Sequence, residues 1–263
     1  MSADATAGAA TIPDRALIGY LPIGFPDLET SIDAAIALVE NGVGVLELGL
    51  PYSDPVMDGL AIQKATQAAL QAGFRVRDVF AAVEAIRGRV EVPTLVMTYW
   101  NPVVQYGVDR FARDLRDAGG AGLITPDITP DAAADWIATS EQQDLARVFL
   151  AAPTSSDERL RETVRSSRGF VYAVSTMGIT GARQDVDAAA RTLVGRLRTA
   201  GATGPDTIPA CVGIGISTPG QVAEVLGYAD GAIVGSALVT ALAEHGVSGL
   251  ARTAAELAQG TDR

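Results

Sequence analysis

The feature that most constrains the fold of this chain is a regular alternation of short, β-branched apolar runs with longer, Ala-rich runs of helical periodicity. Eight runs have the length and composition of buried strands: Leu17–Ile23, Val43–Leu50, Thr94–Tyr99, Gly122–Thr125, Val148–Ala151, Phe170–Ser175, Ala210–Ile214 and Gly231–Val234. Helical runs follow them: Leu28–Glu40, Val76–Ile86, Val108–Ala118, Pro130–Thr139, Asp157–Arg165, Asp187–Thr199, Pro219–Leu226, Ser236–Ala243 and Leu250–Ala258. Eight such units without a low-complexity linker predict a single-domain (β/α)8 TIM barrel.

The length of the chain agrees with a barrel. A (β/α)8 barrel needs about 250 residues, and this chain has 263. The nearest rival, a doubly wound open sheet, usually carries a G-x-G-x-x-G turn after its first strand, and none follows Leu17–Ile23. We expect the barrel to occupy residues 12–263 and the Ala-rich residues 1–11 to form a disordered tail.

The composition excludes several classes of function. Cys211, His245 and Lys64 are single occurrences of their residue types, which argues against disulfides, His-rich metal sites and most lysine Schiff-base chemistry. The net charge of −11 argues against nucleic-acid binding. The sequence has neither a secretory signal nor an apolar run long enough for a membrane span, so we expect a cytoplasmic protein. Acid–base chemistry must then depend mainly on carboxylates and tyrosines.

The second predicted strand carries a glutamate on its inner face. With a period of two, Leu46, Leu48 and Leu50 share the face that suits the helix layer, and Glu47 points into the barrel. An unpaired buried carboxylate is costly, so the pKa of Glu47 should rise, as a general acid near neutral pH requires. The alternative is a structural glutamate paired with an arginine.

The loop after this strand, residues 51–59, is long and carries Asp54 and Asp58 on the face where barrel enzymes place their active sites. Taken alone, each aspartate also fits an ordinary turn, because Asp-Pro and Asp-Gly are common turn pairs. Tyr172 lies within the sixth predicted strand, and the sequence leaves open which face of the strand it occupies.

Glycine-bearing loops follow the sixth, seventh and eighth predicted strands, at residues 178–182, 213–217 and 235–237. Glycines let backbone N–H groups approach an anion, and a helix N-terminus adds positive potential. Barrels commonly hold a phosphate after their last strands. These loops therefore predict a phosphate site that needs no lysine, although each glycine alone could serve only a tight turn.

Five segments are similar, in order, to the tryptophan synthase α subunit family. They are Glu47 to Pro55 followed by Asp58-Gly59, Tyr99-Trp100-Asn101-Pro102, Ser175 to Gly181, Gly213 to Ser217, and Gly231 to Ala237. The resemblance runs from about Leu17 to the C-terminus, and its acid-bearing segment is the most specific part. The family usually begins with an amphipathic helix before the first strand, where this chain is short and rich in Ala and Gly.

The resemblance implies a lyase that cleaves indole-3-glycerol phosphate to indole and glyceraldehyde 3-phosphate by a retro-aldol reaction. It implies that Glu47 protonates C3 of the indole and later accepts the hydroxyl proton, that Asp58 accepts from the ring N–H, and that Tyr172 supports the glutamate. The implied indole pocket consists of Tyr20, Met97, Ile124, Leu150 and Ile214. The implied phosphate ligands are Gly181, Gly215, Gly235 and Ser236.

The resemblance also implies a tryptophan synthase β subunit as partner, in an α2β2 tetramer. Pyridoxal phosphate is expected only in that partner, and no cofactor or metal in this chain. The expected docking surface is the rim around Asp54, Pro55, Asn101 and Pro102. The loop after the sixth strand, with Thr180 and Arg183, is expected to act as a lid.

Three alternatives remain open at the level of sequence. The first is another phosphate-binding barrel enzyme, which would need an acid–base set different from Glu47 and Asp58. The second is a free-standing indole-3-glycerol-phosphate lyase, which would keep the same chemistry without a partner. The third is a subunit that binds ligand and activates its partner with weak catalysis of its own.

Overall fold

The computed structural model describes residues 11–174, 183–201, 208–213 and 215–262. Eight parallel strands close into a barrel in the order of the sequence, each paired with its neighbours along the chain and the last with the first. The strands are β1 Ala16–Pro22, β2 Val45–Gly49, β3 Thr94–Met97, β4 Gly122–Thr125, β5 Ala146–Ala151, β6 Val171–Val174, β7 Ala210–Gly213 and β8 Gly231–Val234. The predicted barrel is confirmed.

The helices surround the barrel. They are α1 Leu28–Glu40, α2 Leu60–Gln71, α3 Val76–Arg87, α4 Trp100–Tyr106, α5 Val108–Asp117, α6 Ala134–Gln142, α7 Asp157–Ser166, α8 Arg183–Gly201, α9 Pro219–Val225 and α10 Ser236–Ala258. Local chemistry explains several helix starts. Asp27 caps α1, and Thr218 with Gln221 forms a capping box before the proline that begins α9.

The helices differ from the sequence prediction in several places. The short α4 was not predicted, because its start has no local side-chain cap and its seven residues are too few for a clear periodicity. Residues 130–132 form one 3-10 turn, and α6 begins only at Ala134. The two predicted C-terminal helices are one element, α10, which bends at Gly246, where φ is 63°.

The strands separate two apolar layers. Outside the barrel, Leu46 and Leu48 of β2 pack in the large cluster that joins strands to helices. Inside it, a second cluster is formed by the inward side chains Ala16, Ile18, Val45, Leu95, Ile124, Ala146, Val148, Phe170, Cys211 and Ile233. The barrel interior is therefore a packed core.

The N-terminal end of the barrel is covered without a preceding helix among the described residues. Ile12 packs against the inner cluster. Arg15, just before β1, donates hydrogen bonds to the carbonyl oxygens of Thr261 at 2.9 Å and Leu226 at 3.2 Å. One apolar side chain thus packs against the inner cluster at this end, and one guanidinium ties the start of the barrel to the C-terminal segment.

No helix in the described part of the chain is both long and apolar enough to cross a membrane.

We predict that Arg15→Ala lowers the free energy of unfolding by about 1–3 kcal/mol, because the part-buried carbonyls of Thr261 and Leu226 lose their charged donor. Arg15 has a φ of 54°, and Ala suffers the same backbone strain there, so the loss reports the hydrogen bonds. The measurement is urea denaturation. Arg77→Ala is the control, since the Arg77 side chain is 79% exposed. Equal losses in both variants would contradict the prediction.

Candidate active site

Glu47 is a buried carboxyl group inside the barrel. It stands on β2 between Tyr20 of β1 and Leu95 of β3, which are its partners in register. The residue is 0% exposed. Neither of its carboxyl oxygens has a hydrogen-bond partner among the described residues. Burial, followed by the nearby charge of Asp58, raises the pKa of Glu47 to about 8. The predicted inward position and raised pKa are both found.

The alternative of a structural glutamate paired with an arginine is not supported. Arg147, the buried arginine, starts β5 at the opposite end of the barrel. It is bound to the carbonyl oxygen of Ser166 and to Glu141. Among the described residues Glu47 therefore has no compensating cation, and at neutral pH it holds its proton.

A tyrosine fills the space above Glu47. Gly49 follows Glu47 on the same inward face of β2, and a Cβ added there would lie 2.3 Å from the hydroxyl oxygen of Tyr20. On its other side, Tyr20 approaches Gly235, where a Cβ would lie 3.4 Å from its ring. The Tyr20 ring leaves no room for a side chain at Gly49 and lies close to Gly235. These two glycines therefore shape the mouth of the barrel, the end where the strands finish, around Tyr20.

Tyr172 repeats this arrangement on the other side of the barrel. It lies on β6 between Leu150 and Cys211 in register, and it packs against the inner cluster. A Cβ at Gly213 would lie 2.7 Å from its hydroxyl oxygen. Burial and then the charge of Glu47 raise the pKa of Tyr172 well above its usual range. The structure thus resolves the open question of its face: Tyr172 points inward, towards Glu47.

Asp58 brings a second carboxyl to the same end of the barrel. It is half-buried in the loop between β2 and α2, and burial raises its pKa to about 6. It lines a small cavity at the mouth together with Tyr20, Met97, Thr98 and Tyr99. The two carboxyls therefore interact electrostatically and differ in ionisation: Glu47 is mostly protonated at pH 7 and Asp58 is mostly ionised.

Hydrogen bonds from two other elements fix the loop that carries Asp58. The hydroxyl oxygen of Tyr99 accepts from the Met57 N–H at 2.8 Å. The side-chain amide of Gln63 on α2 donates to the carbonyl oxygen of Asp58 at 2.8 Å. Sequence reasoning missed the contribution of Tyr99. The available signal was its place at the end of a strand that opens onto the active face.

The predicted apolar pocket is partly described. Met97 lines the mouth cavity, and Ile124 and Leu150 lie in or against the inner cluster. Ile214 lies outside the described residues. Tyr20, Met97, Ile124 and Leu150 all stand on strands of the barrel, with Tyr20 and Met97 nearest Asp58.

The predicted phosphate loops are described in part as well. Gly215 has a φ of 74°, and a Cβ there would meet no atom of the described chain within 4 Å. Gly235 and Ser236 begin the 23-residue helix α10, so their N–H groups lie at its positive end. Gly181 lies outside the described residues. Late-strand glycines and a helix N-terminus therefore face the same end of the barrel as Glu47.

The rim of this face exposes both polar and apolar groups. Asp54 accepts a hydrogen bond from the Ser53 hydroxyl at 2.6 Å, and Asn101 donates to the Tyr52 hydroxyl at 3.2 Å. Pro55 is half-buried in the same loop. Pro102 is buried within α4, so it supports the helix and offers little surface.

Sequence reasoning overlooked the apolar side chains of this rim, Val56, Leu60 and Val104, which are 77%, 74% and 47% exposed. Thr180 lies outside the described residues. Arg183 begins α8, but its side chain is not described.

The remaining rare residues do not line the mouth cavity. Lys64 is exposed on α2, and His245 is exposed on α10. Cys211 is buried inside the barrel. In the part of the chain that the structure describes, no cluster of three or more His, Cys, Asp or Glu side chains is arranged to hold a metal ion.

Comparison with known proteins gives one consistent result. The family model described as tryptophan synthase alpha chain matches residues 9–261. The tryptophan synthase alpha chain of Leifsonia xyli subsp. xyli is 71% identical, covering 94% of this chain and 93% of the relative. The chain from Mycobacterium avium is 57% identical, covering 94% and 89%.

Solved structures agree. A structure of Mycobacterium tuberculosis tryptophan synthase superposes with a TM-score of 0.87 at 56% identity, covering 94% of this chain and 93% of that one. A mutant tryptophan synthase alpha-subunit of Pyrococcus furiosus gives a TM-score of 0.84 at 33% identity, covering 94% and 99%.

We predict that Glu47→Gln stabilises the fold, increasingly so as the pH rises. The folded state keeps a proton on Glu47 that the unfolded state releases above pH 4.5, so wild-type stability falls as pH rises from there through about 8. Glutamine removes this dependence at similar volume. The expected gain is near zero at pH 4.5 and about 3 kcal/mol at pH 7.

The measurement is denaturant unfolding of both proteins across this pH range. The exposed Glu84 supplies the matched control, because Glu84→Gln removes an acid without touching the barrel interior. A Glu47→Gln gain that stays constant with pH would show that Glu47 is ionised in the folded protein.

Proposed function

This chain belongs to the tryptophan synthase alpha chain family, and we propose that Glu47 and Asp58 perform the proton transfers of its reaction. That reaction is the retro-aldol cleavage of indole-3-glycerol phosphate to indole and glyceraldehyde 3-phosphate, which makes the protein a carbon–carbon lyase of tryptophan biosynthesis. The observation that carries the proposal is the buried Glu47, which has no hydrogen-bond partner among the described residues and whose pKa is raised to about 8 by burial and by the charge of Asp58.

The chemistry requires an acid first. The bond to be broken joins C3 of the indole ring to the glycerol chain, and indole cannot leave while C3 keeps its aromatic bonding. Glu47 donates its proton to C3, and the ring becomes a cation. Asp58, ionised at neutral pH, accepts the hydrogen bond of the ring N–H and stabilises the charge that develops there. Each well-placed proton transfer contributes about 10²–10⁴ in rate.

The second half of the reaction uses the same glutamate as a base. Having given up its proton, Glu47 is an ionised carboxylate in an apolar site and takes the hydroxyl proton from the glycerol carbon next to C3. The electrons of that O–H bond form the aldehyde, and the C–C bond breaks. Its electron pair restores the aromatic ring. One residue thus acts as acid and then as base, and it ends as it began.

The surrounding side chains hold the substrate. Tyr20, Met97, Ile124 and Leu150, with Ile214, form the apolar slot for the indole ring. Tyr172 packs beside Glu47 and fixes its position. The phosphate binds to the N–H groups of Gly215, Gly235 and Ser236, together with Gly181. Because these donors are backbone groups and the N-terminus of α10, the site needs no lysine.

This chemistry asks for no cofactor in this chain. Every proton in the scheme is moved by a carboxyl group. A Schiff base with pyridoxal phosphate would need an amine in a pocket, and the single lysine, Lys64, is exposed on α2. We therefore assign pyridoxal phosphate to the partner subunit alone.

Membership of the family implies a tryptophan synthase β subunit as partner. We propose that it docks on the rim formed by Asp54, Pro55 and Asn101, in an α2β2 assembly. The exposed apolar side chains Val56 and Leu60 support this surface, because large apolar groups exposed together at one rim are typical of interfaces. The rim includes the loop that carries Asp58, so docking can order the catalytic loop.

We predict a bell-shaped pH dependence for cleavage of indole-3-glycerol phosphate. Turnover requires Asp58 ionised and Glu47 protonated, so kcat/KM should fall below about pH 6 and above about pH 8. Glu47→Gln should lower kcat by ~10³ or more with nearly unchanged substrate binding. The measurement is steady-state release of indole over pH 5–9.

Asp58→Asn provides the second arm of this test. This variant should abolish the fall in kcat/KM at acidic pH and lower turnover severely. Because the charge of Asp58 contributes to the raised pKa of Glu47, the alkaline limb should also move to lower pH. Nearly full activity in Asp58→Asn, or more than a tenth of wild-type activity in Glu47→Gln, would contradict the proposed roles.

We predict that the partner sets the working rate. Isolated protein should cleave slowly, and saturating β subunit should raise the rate at least ~10-fold, or ~1.4 kcal/mol of barrier. Leu60→Asp should increase the β-subunit concentration needed for half-maximal stimulation, whereas Ala81→Asp on the outer face of α3 should not. A full rate without any partner would favour a free-standing lyase instead.

A further inference from the structure

Tyr99 lies at a junction between three strand ends, and its side chain reaches the loop that carries Asp58. We propose that Tyr99 is a positioning residue for Asp58: its phenol holds the 50–59 loop through the Met57 N–H and donates a hydrogen bond to the ionised Asp58 carboxylate. This inference rests on the proposed role of Asp58. It assigns to Tyr99 a task that the family resemblance did not assign.

The first support is the geometry of the loop. Met57 immediately precedes Asp58, and its backbone N–H donates to the Tyr99 hydroxyl at 2.8 Å. The carbonyl of Asp58 itself accepts from Gln63 at 2.8 Å. The backbone on both sides of the catalytic carboxylate is thus fixed, on one side by α2 and on the other by Tyr99. Gln63 belongs to the same βα unit, so Tyr99 is the link to a different strand.

The second support is that Tyr99 is itself firmly held. Its side chain is buried, and its ring lies 5.3 Å from that of Tyr52. The next residue, Trp100, donates its N–H to both carboxyl oxygens of Asp127, at 2.9 and 3.1 Å. Asp127 follows β4 and so caps the start of α4 from a neighbouring unit. Because the Tyr99 ring is already held in place, its hydroxyl can position the loop with little loss of conformational entropy.

The third support is the hydrogen-bonding capacity of the phenol. In accepting from Met57, the hydroxyl uses a lone pair and keeps its proton for an acceptor of its own. Asp58 lines the same cavity, and its charge raises the pKa of Tyr99 more than the charge of Asp127 does, although burial is the main cause of the rise to about 12. With such a pKa the phenol keeps its proton at neutral pH, so Tyr99 can donate a hydrogen bond but is not an acid for the reaction.

The test is Tyr99→Phe in the full chain saturated with β subunit. The ring and its packing remain, and only the hydroxyl is lost. We expect kcat/KM to fall about 10-fold, mostly in kcat, because a misplaced Asp58 stabilises the transition state less well. The acid limb of the pH profile should move to higher pH, since an ionised Asp58 without its donor binds a proton more readily. Tyr106→Phe, whose hydroxyl bonds Asp114 outside the barrel, should change neither.

A double-mutant cycle separates a positioning role from a general structural one. If Tyr99 acts through Asp58, then Tyr99→Phe should change activity by less than about 2-fold in an Asp58→Asn background. An equal loss in both backgrounds, or an unmoved acid limb, would overturn the proposal. If the Asp58→Asn variant proves active by itself, the proposed catalytic role of Asp58 is wrong. That result would not contradict the link between Tyr99 and the loop.

A readout that needs no substrate keeps the link testable in that case. Amide hydrogen exchange at Met57 should accelerate in Tyr99→Phe, because this N–H loses its acceptor, while exchange within α5 stays as in wild type. Unchanged exchange at Met57 would show that the hydroxyl does not hold the loop in solution, and the proposal would be abandoned.

Discussion

The site depends on one electrostatic constraint, an uncompensated carboxyl enclosed in the packed interior of a closed barrel. Burying an ionised glutamate without a partner costs several kcal/mol, so Glu47 keeps its proton well above the pH at which a solvated glutamate would release it. The closed strand order supplies the enclosure, since each side of β2 is covered by a neighbouring strand. The proton that the acid step needs is therefore a direct consequence of the fold.

The same enclosure accommodates two tyrosine rings beside Glu47, and glycines at the strand ends provide the space for them. Gly49 and Gly213 lack the side chains that would occupy the mouth, and the rings of Tyr20 and Tyr172 enter that space from adjacent strands. Two tyrosines beside Glu47 add apolar cover but bring hydroxyls that can bond a polar substrate. Gly49, which lies in the same segment as Glu47, thus has a packing role that its place in a turn-rich sequence does not reveal.

Much of this was accessible from the sequence, and the limits have physical reasons. The barrel, the inward position of Glu47 and the helix start at Ser236 follow from periodicity, which is a local signal. The face of Tyr172 depended on a register that only the neighbouring strands define. Helix α4 is capped by Asp127, 27 residues away from Trp100, and Tyr99 meets Met57 across 42 residues. Contacts of that kind follow from the closed fold and leave no pattern in any one segment.

The two carboxyls also depend on each other. Asp58 is half-buried on a loop, so its pKa stays below neutrality, while its charge helps to hold the pKa of Glu47 above neutrality. A loop that moved away from the mouth would therefore weaken both roles at once: the ring N–H would lose its acceptor, and Glu47 would become a stronger acid with less proton to give at pH 7. Because the position of one loop sets the protonation of the other residue, hydrogen bonds that fix the loop, such as that between Met57 and Tyr99, contribute to the acid step without touching the substrate.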